Sequence, residues 1–182
     1  MNQSREENAI VLDYLQHGYS DDPSPMKSSI AQAIGKAHFT LLELVPKKGV
    51  FLQPYQEVYI GEGKRDDIHH IKGKIPYERL TQTARSELRP VVESLIEKNS
   101  AKFVEFFNKA QPLSTRMHQL ELLPGLGKKH MWEIIQERKG KPFESLQDLK
   151  SRVKLMPDPK TIVVKRIISE LEGMEKHRIF VS

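Results

Sequence analysis

Hydrophobic residues change their spacing near residue 80, and this change divides the chain into two differently patterned parts. Before that point, short runs rich in β-branched and aromatic residues are separated by turn residues such as Gly18, Pro46 and Gly61. Runs of this kind predict β-strands. They cover residues 8–14, 39–45, 56–60 and 68–75, and residues 28–34 fit either a short helix or an irregular strand.

Four or five strands in such a short stretch predict a small closed or partly open β-barrel over residues 1–80. Oligonucleotide-binding folds use barrels of this size. A small β-sandwich or an SH3-like barrel would give the same pattern, so the strand pattern leaves all three open. Together with the helical pattern that follows, it predicts the α+β class.

From Thr81 onward the apolar residues recur at helical spacing, with Thr81 or Thr83 as the candidate N-cap. The Asn99–Ser100 pair interrupts the pattern, and a second helix is expected to follow it. We assign residues 81–112 to these helices, which would bridge the barrel and the C-terminal part. The apolar positions that define them are Leu88, Val91, Val92, Leu95, Ile96, Phe103, Val104, Phe106 and Phe107.

The stretch LELLPGLGKKHMWEII, residues 120–135, carries the strongest chemical signal. Gly125 and Gly127 allow a tight turn and a close approach of bare backbone to a ligand. Lys128, Lys129 and His130 would form the first turn of the next helix, where unpaired N–H groups and the positive end of the helix dipole favour a phosphate oxygen. An ordinary corner between two helices is the alternative interpretation.

This pattern resembles the helix-hairpin-helix motif, which binds the DNA or RNA backbone without reading sequence. Met131 stands where the motif usually carries a small residue. A second, degenerate copy is expected from Pro142–Leu149 onward, with Asp158, Pro159 and Lys160 in place of Gly125, Leu126 and Gly127. Its second helix, Thr161–Glu172, carries Lys165 and Arg166. The tandem motif would occupy residues 113–176, and residues 177–182 a strand or tail that pairs back onto the barrel.

Composition narrows the class of protein without identifying it. The chain has 182 residues and no cysteine, which excludes disulfides, cysteine-ligated zinc and thiol nucleophiles. Residues 1–110 carry 15 basic and 15 acidic residues, whereas residues 111–182 carry 14 and 9, so the net charge of +5 belongs to the C-terminal part. A local basic excess attracts polyanions. No apolar run suits a membrane span or signal peptide, so a cytoplasmic location is expected.

Several residues of types that often act in catalysis are interpreted as having structural roles in this sequence. Asp148 is interpreted as surface charge and Asp158 as a turn former, rather than as the aspartate of a DNA glycosylase. The His69–His70 pair is expected to point to opposite faces of a strand, and Asp66–Asp67 to lie in a solvated loop, so no metal site is predicted. Trp132 is interpreted as a core anchor. Tyr55 and Tyr59 are the better candidates for base stacking.

Read end to end, the chain resembles an archaeal family, the domain of unknown function family 655. The residues that carry the resemblance include Val11–Tyr14, Phe39–Leu44, Tyr59–Gly61, Phe106–Ala110 and His118–Gly125. The resemblance implies an oligonucleotide-binding fold joined to a helix-hairpin-helix region and a link to transcription or translation machinery, which favours RNA over DNA. It implies no cofactor, apart from a monovalent cation at the hairpin carbonyls.

We therefore expect a non-catalytic protein that binds RNA or DNA through backbone contacts, with the barrel contacting single-stranded segments. Ribosomes or transcription complexes are the expected partners, and membranes are not. A protein-interaction scaffold in such a complex and a DNA-repair accessory factor are the alternatives. The candidate binding residues are Gly125, Leu126, Gly127, Lys128, Lys129, His130, Lys160, Lys165 and Arg166.

Overall fold

The computed structural model describes residues 5–182, which form two compact units. The first unit contains residues 5–91 together with Ser169–Ser182, and the second contains Val92–Ile168. Both boundaries fall inside helices, one in Gln82–Lys98 (α1) and one in Pro159–Leu171 (α5). No helix within residues 5–182 is long and apolar enough to cross a membrane.

A curled, antiparallel five-stranded sheet forms the body of the first unit. Its strands are β1 (Asn8–Leu15), β2 (Ile30–Gly35), β3 (Leu41–Pro46), β4 (Glu57–Tyr59) and β5 (Ile68–Lys74), in the order β4-β1-β2-β3-β5. The four predicted strands are confirmed, and the fifth segment is a strand rather than a short helix. Every residue of β2 is buried, so this segment is covered on both faces, and the alternation of apolar and polar residues typical of a half-exposed strand is lost.

Small residues allow the sheet to curl around its core. Ala9, Ala31 and Ala33 are fully buried and lie on neighbouring strands. They pack with larger apolar side chains of the same cluster, which are Val11, Leu42, Leu44, Leu52, Val58, Ile60 and Ile68. The chain therefore has an α+β architecture, in which an N-terminal curled antiparallel half-barrel is followed by helices.

A buried polar network covers the central strands. The side-chain amide of Gln32 donates to the Tyr19 hydroxyl and to the Arg79 carbonyl, at 3.0 Å each, and its oxygen accepts the Thr81 N–H at 2.9 Å. Tyr19 in turn donates to Glu43 at 2.7 Å. Burial is the main cause of the raised pKa of Tyr19. Because these groups satisfy one another, the network fixes the start of α1 against the sheet.

The helices begin and end close to the predicted positions. Thr81 is the N-cap of α1, since its hydroxyl oxygen accepts the Ala84 N–H at 3.1 Å, and α2 (Ser100–Lys109) follows the break at Asn99. The second unit adds a two-stranded hairpin, β6 (Pro112–Ser114) with β7 (Met117–His118), then a 3₁₀ helix (Gln119–Leu122), α3 (Lys128–Gly140) and α4 (Leu146–Arg152).

His118 holds the 3₁₀ helix that leads into the Pro-Gly turn. Its Nδ1 accepts the Leu120 N–H at 3.1 Å, while the Glu121 carboxylate accepts the His118 N–H at 2.8 Å. Burial, followed by the nearby charge of Arg138, lowers the pKa of His118. A neutral imidazole suits this position because a protonated Nδ1 could no longer accept a hydrogen bond.

The last six residues form no strand, but they lie against the sheet of the first unit. One oxygen of the Glu170 carboxylate accepts the N–H groups of Ile179, Phe180 and Val181, at 2.9, 3.2 and 3.2 Å. The Ser182 N–H then donates to the His38 carbonyl at 3.2 Å. Glu170 is buried, so its carboxylate is the anchor that orders the tail.

Glu170→Ala is expected to lower the free energy of unfolding by about 2–3 kcal/mol, because three N–H groups lose a charged acceptor. Glu170→Gln retains an uncharged acceptor and should lose less. Urea denaturation measures both, with Glu172→Ala, just past the end of the same helix, as the control. Equal stability of Glu170→Ala and the control would contradict this assignment.

The stability of the protein should fall as the pH drops below about 6.5, partly because of His118. The pKa of His118 is lower in the folded state than its ordinary value, so the unfolded chain binds a proton first as the pH falls. His118→Asn keeps an acceptor that does not titrate and should flatten this dependence. Urea midpoints of the wild type and the variant at pH 5.5 and 7.5 test this. If the midpoint of the variant falls between these pH values as much as that of the wild type, the assignment is contradicted.

Candidate functional site

The turn before α3 is packed on one side and bare on the other. Gly125 has a φ of +79°, a left-handed conformation that an L residue adopts at a cost. Leu123 and Leu126, on either side, are buried, whereas Gly125 and Gly127 are exposed. The Leu126 N–H donates to the Leu123 carbonyl at 3.3 Å. Leu126 therefore closes the turn, and its N–H is not free to bind a ligand as the sequence had predicted.

Helix α3 starts without a capping side chain. Gly127 is its N-cap residue and supplies no side-chain hydrogen bond, and the first turn contains no acidic residue. Lys128 and Lys129 occupy the first two helical positions and are exposed, and His130 is half-buried beside them. Positive charge near a helix N-terminus is unfavourable, because that end of the dipole is itself positive. The arrangement becomes favourable when an anion accepts the N–H groups and neutralises the lysines.

The approach to this turn is open within residues 5–182. Apart from atoms of the adjacent residues, a Cβ atom added to Gly127 would meet no described atom within 4 Å, and one added to Gly125 would meet only Pro157 Cγ, at 3.4 Å. The backbone around Gly127 is therefore open, and the absence of side chains leaves space for an external group of atomic size.

Arg166 supports the turn from below and does not belong to the surface. It is 3% exposed, and its guanidinium donates to the Leu122 carbonyl at 2.9 Å. A buried, hydrogen-bonded arginine cannot reach a phosphate at the surface, so its predicted contact with nucleic acid is wrong. The helical pattern could have indicated the burial of Arg166, since this residue lies among Ile162, Val163 and Ile167, which are all buried.

The second turn matches the first with a different alignment from the one expected. Leu155, with a φ of +59°, corresponds to Gly125, and the buried Met156 corresponds to Leu126. Asp158 corresponds to Gly127, because each is the residue before a helix. Pro157 is one extra residue in the second turn. The alignment read from the sequence, which placed Asp158, Pro159 and Lys160 opposite Gly125, Leu126 and Gly127, is therefore wrong by two to three residues. Leu155 is 90% exposed and adopts a strained conformation for a leucine.

Asp158 caps α5 and so closes the start of that helix to a ligand. Its carboxylate accepts the N–H of Thr161 at 3.1 Å and the hydroxyl at 2.9 Å. Burial raises the pKa of Asp158, but the bonds from Thr161 and the charge of Lys150 outweigh it, so the pKa is lowered. The neighbouring Lys160 is paired with Glu97 at 2.6 Å, whereas Lys165 is exposed. The second turn is therefore less suited than the first to binding an anion.

Asp148 also has a structural explanation. Its carboxylate accepts the Glu144 N–H at 3.0 Å and an Arg152 N–H at 3.1 Å, and the first of these is the main cause of its lowered pKa. The Ser145 hydroxyl oxygen accepts the Asp148 N–H at 2.9 Å and caps α4. These hydrogen bonds give Asp148 a structural role at the start of α4.

The interpretation of Trp132 as a core anchor is wrong. Its side chain is 57% exposed, whereas Met131 and Ile134 on the same helix are buried. Residue 132 lies away from the face defined by positions 131 and 134, which helical spacing alone could have shown. An exposed indole therefore lies one helical turn after Lys128.

The predicted orientation of His69 and His70 is also wrong. Their Nδ1 atoms are 2.7 Å apart and both residues are exposed, because the ladder between β3 and β5 shifts register between Val45 and Pro46. Such a bulge lets neighbouring side chains lean to the same side. Within residues 5–182, no three histidine, aspartate or glutamate side chains converge as metal ligands.

The barrel has its own concave surface between the edge strands β4 and β5. This groove, of about 500 Å³, includes Tyr59, whose hydroxyl oxygen accepts the Gly63 N–H at 3.0 Å. Tyr55 is exposed, and its hydroxyl bonds to Glu87. Charges of both signs line the groove, so it shows no clear preference for an anion. The charged residues are Arg5, Glu6, Glu7, Glu62, Arg65 and Lys74.

Comparison with known proteins gives a consistent result. Residues 5–182 match the model of a family described as "Protein of unknown function (DUF655)". The chain is 44% identical over 178 residues to the "Uncharacterized protein MJ0038" of Methanocaldococcus jannaschii, and the match covers 98% of this chain and 80% of that protein. The crystal structure of Af1531 from Archaeoglobus fulgidus, of the same family, is also 44% identical, with a TM-score of 0.88 over 97% of this chain and all of that one. The chain therefore belongs to the DUF655 family.

Proposed function

We propose that this protein is a non-catalytic nucleic-acid-binding protein that holds the phosphate backbone at the start of α3. The observation that carries the proposal is the exposed, uncapped N-terminus of this helix, with Lys128 and Lys129 in its first turn. Its N–H groups lack a capping side chain. The charge of the two lysines is unfavourable beside the positive end of the helix dipole and becomes favourable when an anion is bound. The family resemblance favours RNA over DNA and a role in translation or transcription.

The binding step follows from this geometry. A phosphate oxygen would accept the N–H groups of Gly127, Lys128 and Lys129, and the two ammonium groups would approach the remaining oxygens. His130 is half-buried at the edge of this surface. Because every nucleotide has a phosphate, such contacts give affinity and orientation but no sequence code. Binding should therefore depend steeply on salt.

We infer that the two turns are copies of a helix-hairpin-helix motif. The support is the shared sequence of a left-handed residue, a buried apolar residue and a helix start in each turn. The first copy is open to a ligand, and the second is capped by Asp158 and packs beside it through Pro157. In this proposal, Lys165 adds charge, and Lys160 contributes only if its pair with Glu97 opens.

We also infer an oligonucleotide-binding fold for the barrel, supported by its five strands and their order. The polar network and the burial of β2 cover the central strands. The groove that includes Tyr59 is therefore the place where the barrel would contact a single strand.

A scaffold in a ribosomal or transcription complex is the second candidate function, because several apolar side chains of the second unit are exposed. Exposed apolar surface favours protein contacts when the side chains are contiguous. The two lysines beside the bare turn favour a polyanion instead, which places the scaffold second. The exposed apolar residues are Leu113, Met117, Trp132 and Leu155.

Gly127→Val is expected to weaken binding to RNA or DNA by at least about tenfold while the protein stays folded. A Cβ atom at residue 127 meets no described atom beyond the adjacent residues, and a φ of −86° suits valine, so we expect the change to act on the ligand's approach. Fluorescence anisotropy with single-stranded RNA, duplex RNA and duplex DNA measures the effect, and circular dichroism checks folding. Unchanged affinity for all three would contradict a phosphate at this turn.

The double variant Lys128→Glu with Lys129→Glu is expected to change stability and binding in opposite directions. The acidic residues complement the helix dipole and should raise the free energy of unfolding by about 0.3–1 kcal/mol each at low salt. The same change should abolish binding to nucleic acid, because an anion would now be repelled.

The matched control is Lys48→Glu with Lys176→Glu, which changes the charge equally at exposed positions away from any helix start. It should weaken binding only modestly, by lowering the net charge. Equal losses in the two double variants would mean that overall charge, rather than the turn, accounts for binding.

A further inference from the structure

Trp132 is an unusual residue to leave in contact with water. It is the single tryptophan of the chain, and 57% of its surface is exposed. Indole rings normally bury a large area, and those that stay accessible are enriched at binding interfaces. The neighbouring Met131 and Ile134 are buried, so α3 has an apolar face on which Trp132 does not lie.

The position of Trp132 relates it to the phosphate-binding turn. It lies four residues after Lys128 and three after Lys129, and side chains at these spacings share one side of a helix. Helical side chains also lean towards the N-terminus, so a residue covers the surface over the turn before its own Cα. The indole therefore lies on the side of α3 that carries Lys128 and Lys129, close to the bare start of the helix.

We propose that Trp132 stacks on an unpaired base of the strand whose phosphate lies at the start of α3. This inference rests on the proposed function and adds a substrate class, namely single-stranded segments and duplex ends with an overhang. Bases within a continuous duplex are covered on both faces by their neighbours, so they offer no face to an indole. An unpaired base offers one, and stacking on an aromatic side chain accepts any base.

The flanking charges favour this occupant over an apolar protein partner. Lys128 and Lys129 are exposed, and the first turn of α3 contains no acidic residue. A partner bound there must therefore place negative charge near the lysines and a flat apolar surface against the indole. A nucleic-acid strand supplies both, because its phosphates are negative and its unpaired bases stack on aromatic side chains.

Trp132 is itself the probe for this test, since no other tryptophan contributes to the fluorescence. The ligands are a blunt RNA duplex, the same duplex with a four-nucleotide 3′ overhang, and the overhang strand alone, each matched by DNA. Indole emission is recorded on unlabelled ligand, and affinity is measured separately by anisotropy on labelled ligand. The proteins are wild type, Trp132→Ala, Trp132→Phe and the control Met174→Ala, which removes another exposed apolar side chain.

We expect the overhang and single strand to quench the indole, and the blunt duplex to leave its emission nearly unchanged. Trp132→Ala should weaken binding of the overhang by roughly 5- to 100-fold, the range expected for one stacked base, and Trp132→Phe should weaken it less. Blunt duplex binding should change by less than about twofold in every variant, and Met174→Ala should behave as wild type.

Two results would overturn the inference in distinguishable ways. If the protein binds blunt and overhanging ligands equally, without quenching and without an effect of Trp132→Ala, the stacking role is wrong while the proposed function stands. If no ligand binds at low salt, the proposed function itself fails, and Trp132 becomes a candidate contact for a protein partner.

Discussion

The N–H groups at the start of a helix need acceptors, and the source of those acceptors distinguishes one helix of this protein from the others. Thr81 caps α1, Ser145 caps α4 and Asp158 caps α5, each through a side-chain oxygen. Helix α2 follows α1 after a single residue and has no such cap. Helix α3 also lacks one, and it alone among these five begins on an exposed glycine followed by two lysines. We propose that an external anion is the acceptor at this start.

The bare turn depends on packing beneath it. Buried Leu123 and Leu126 fix its inner side, Gly125 supplies the left-handed residue, and Arg166 holds the Leu122 carbonyl. His118 and Glu121 fix the 3₁₀ helix that precedes it. Rigid support of this kind presents the backbone to a ligand without a further ordering cost. Lysines beside the positive end of the helix dipole lower stability locally, which is consistent with the proposed binding site.

Sequence patterns predicted four of the five strands, the break at Asn99 and a cap at Thr81 or Thr83, because these depend on local periodicity and turn chemistry. They left β2 open between helix and strand, since every residue of β2 is buried and the strand lacks the usual alternation. They could have indicated that Arg166 is buried, because it lies among the apolar residues of its helix, but not which carbonyl it binds, since Leu122 belongs to a distant segment. They also missed the bulge that brings His69 and His70 together and the extra residue Pro157 in the second turn. The misassignment of Trp132 was avoidable, because its position relative to Met131 and Ile134 places it off the buried face.

The most direct test observes the backbone N–H groups themselves. Two-dimensional ¹⁵N–¹H NMR spectra of the full chain, recorded during titration with single-stranded and duplex RNA and DNA at low salt, report each amide separately. We predict that the largest chemical-shift changes occur at Gly127, Lys128 and Lys129, and that they reverse when salt is added. Shift changes that leave these amides unaffected, or that are confined to the barrel, would contradict it.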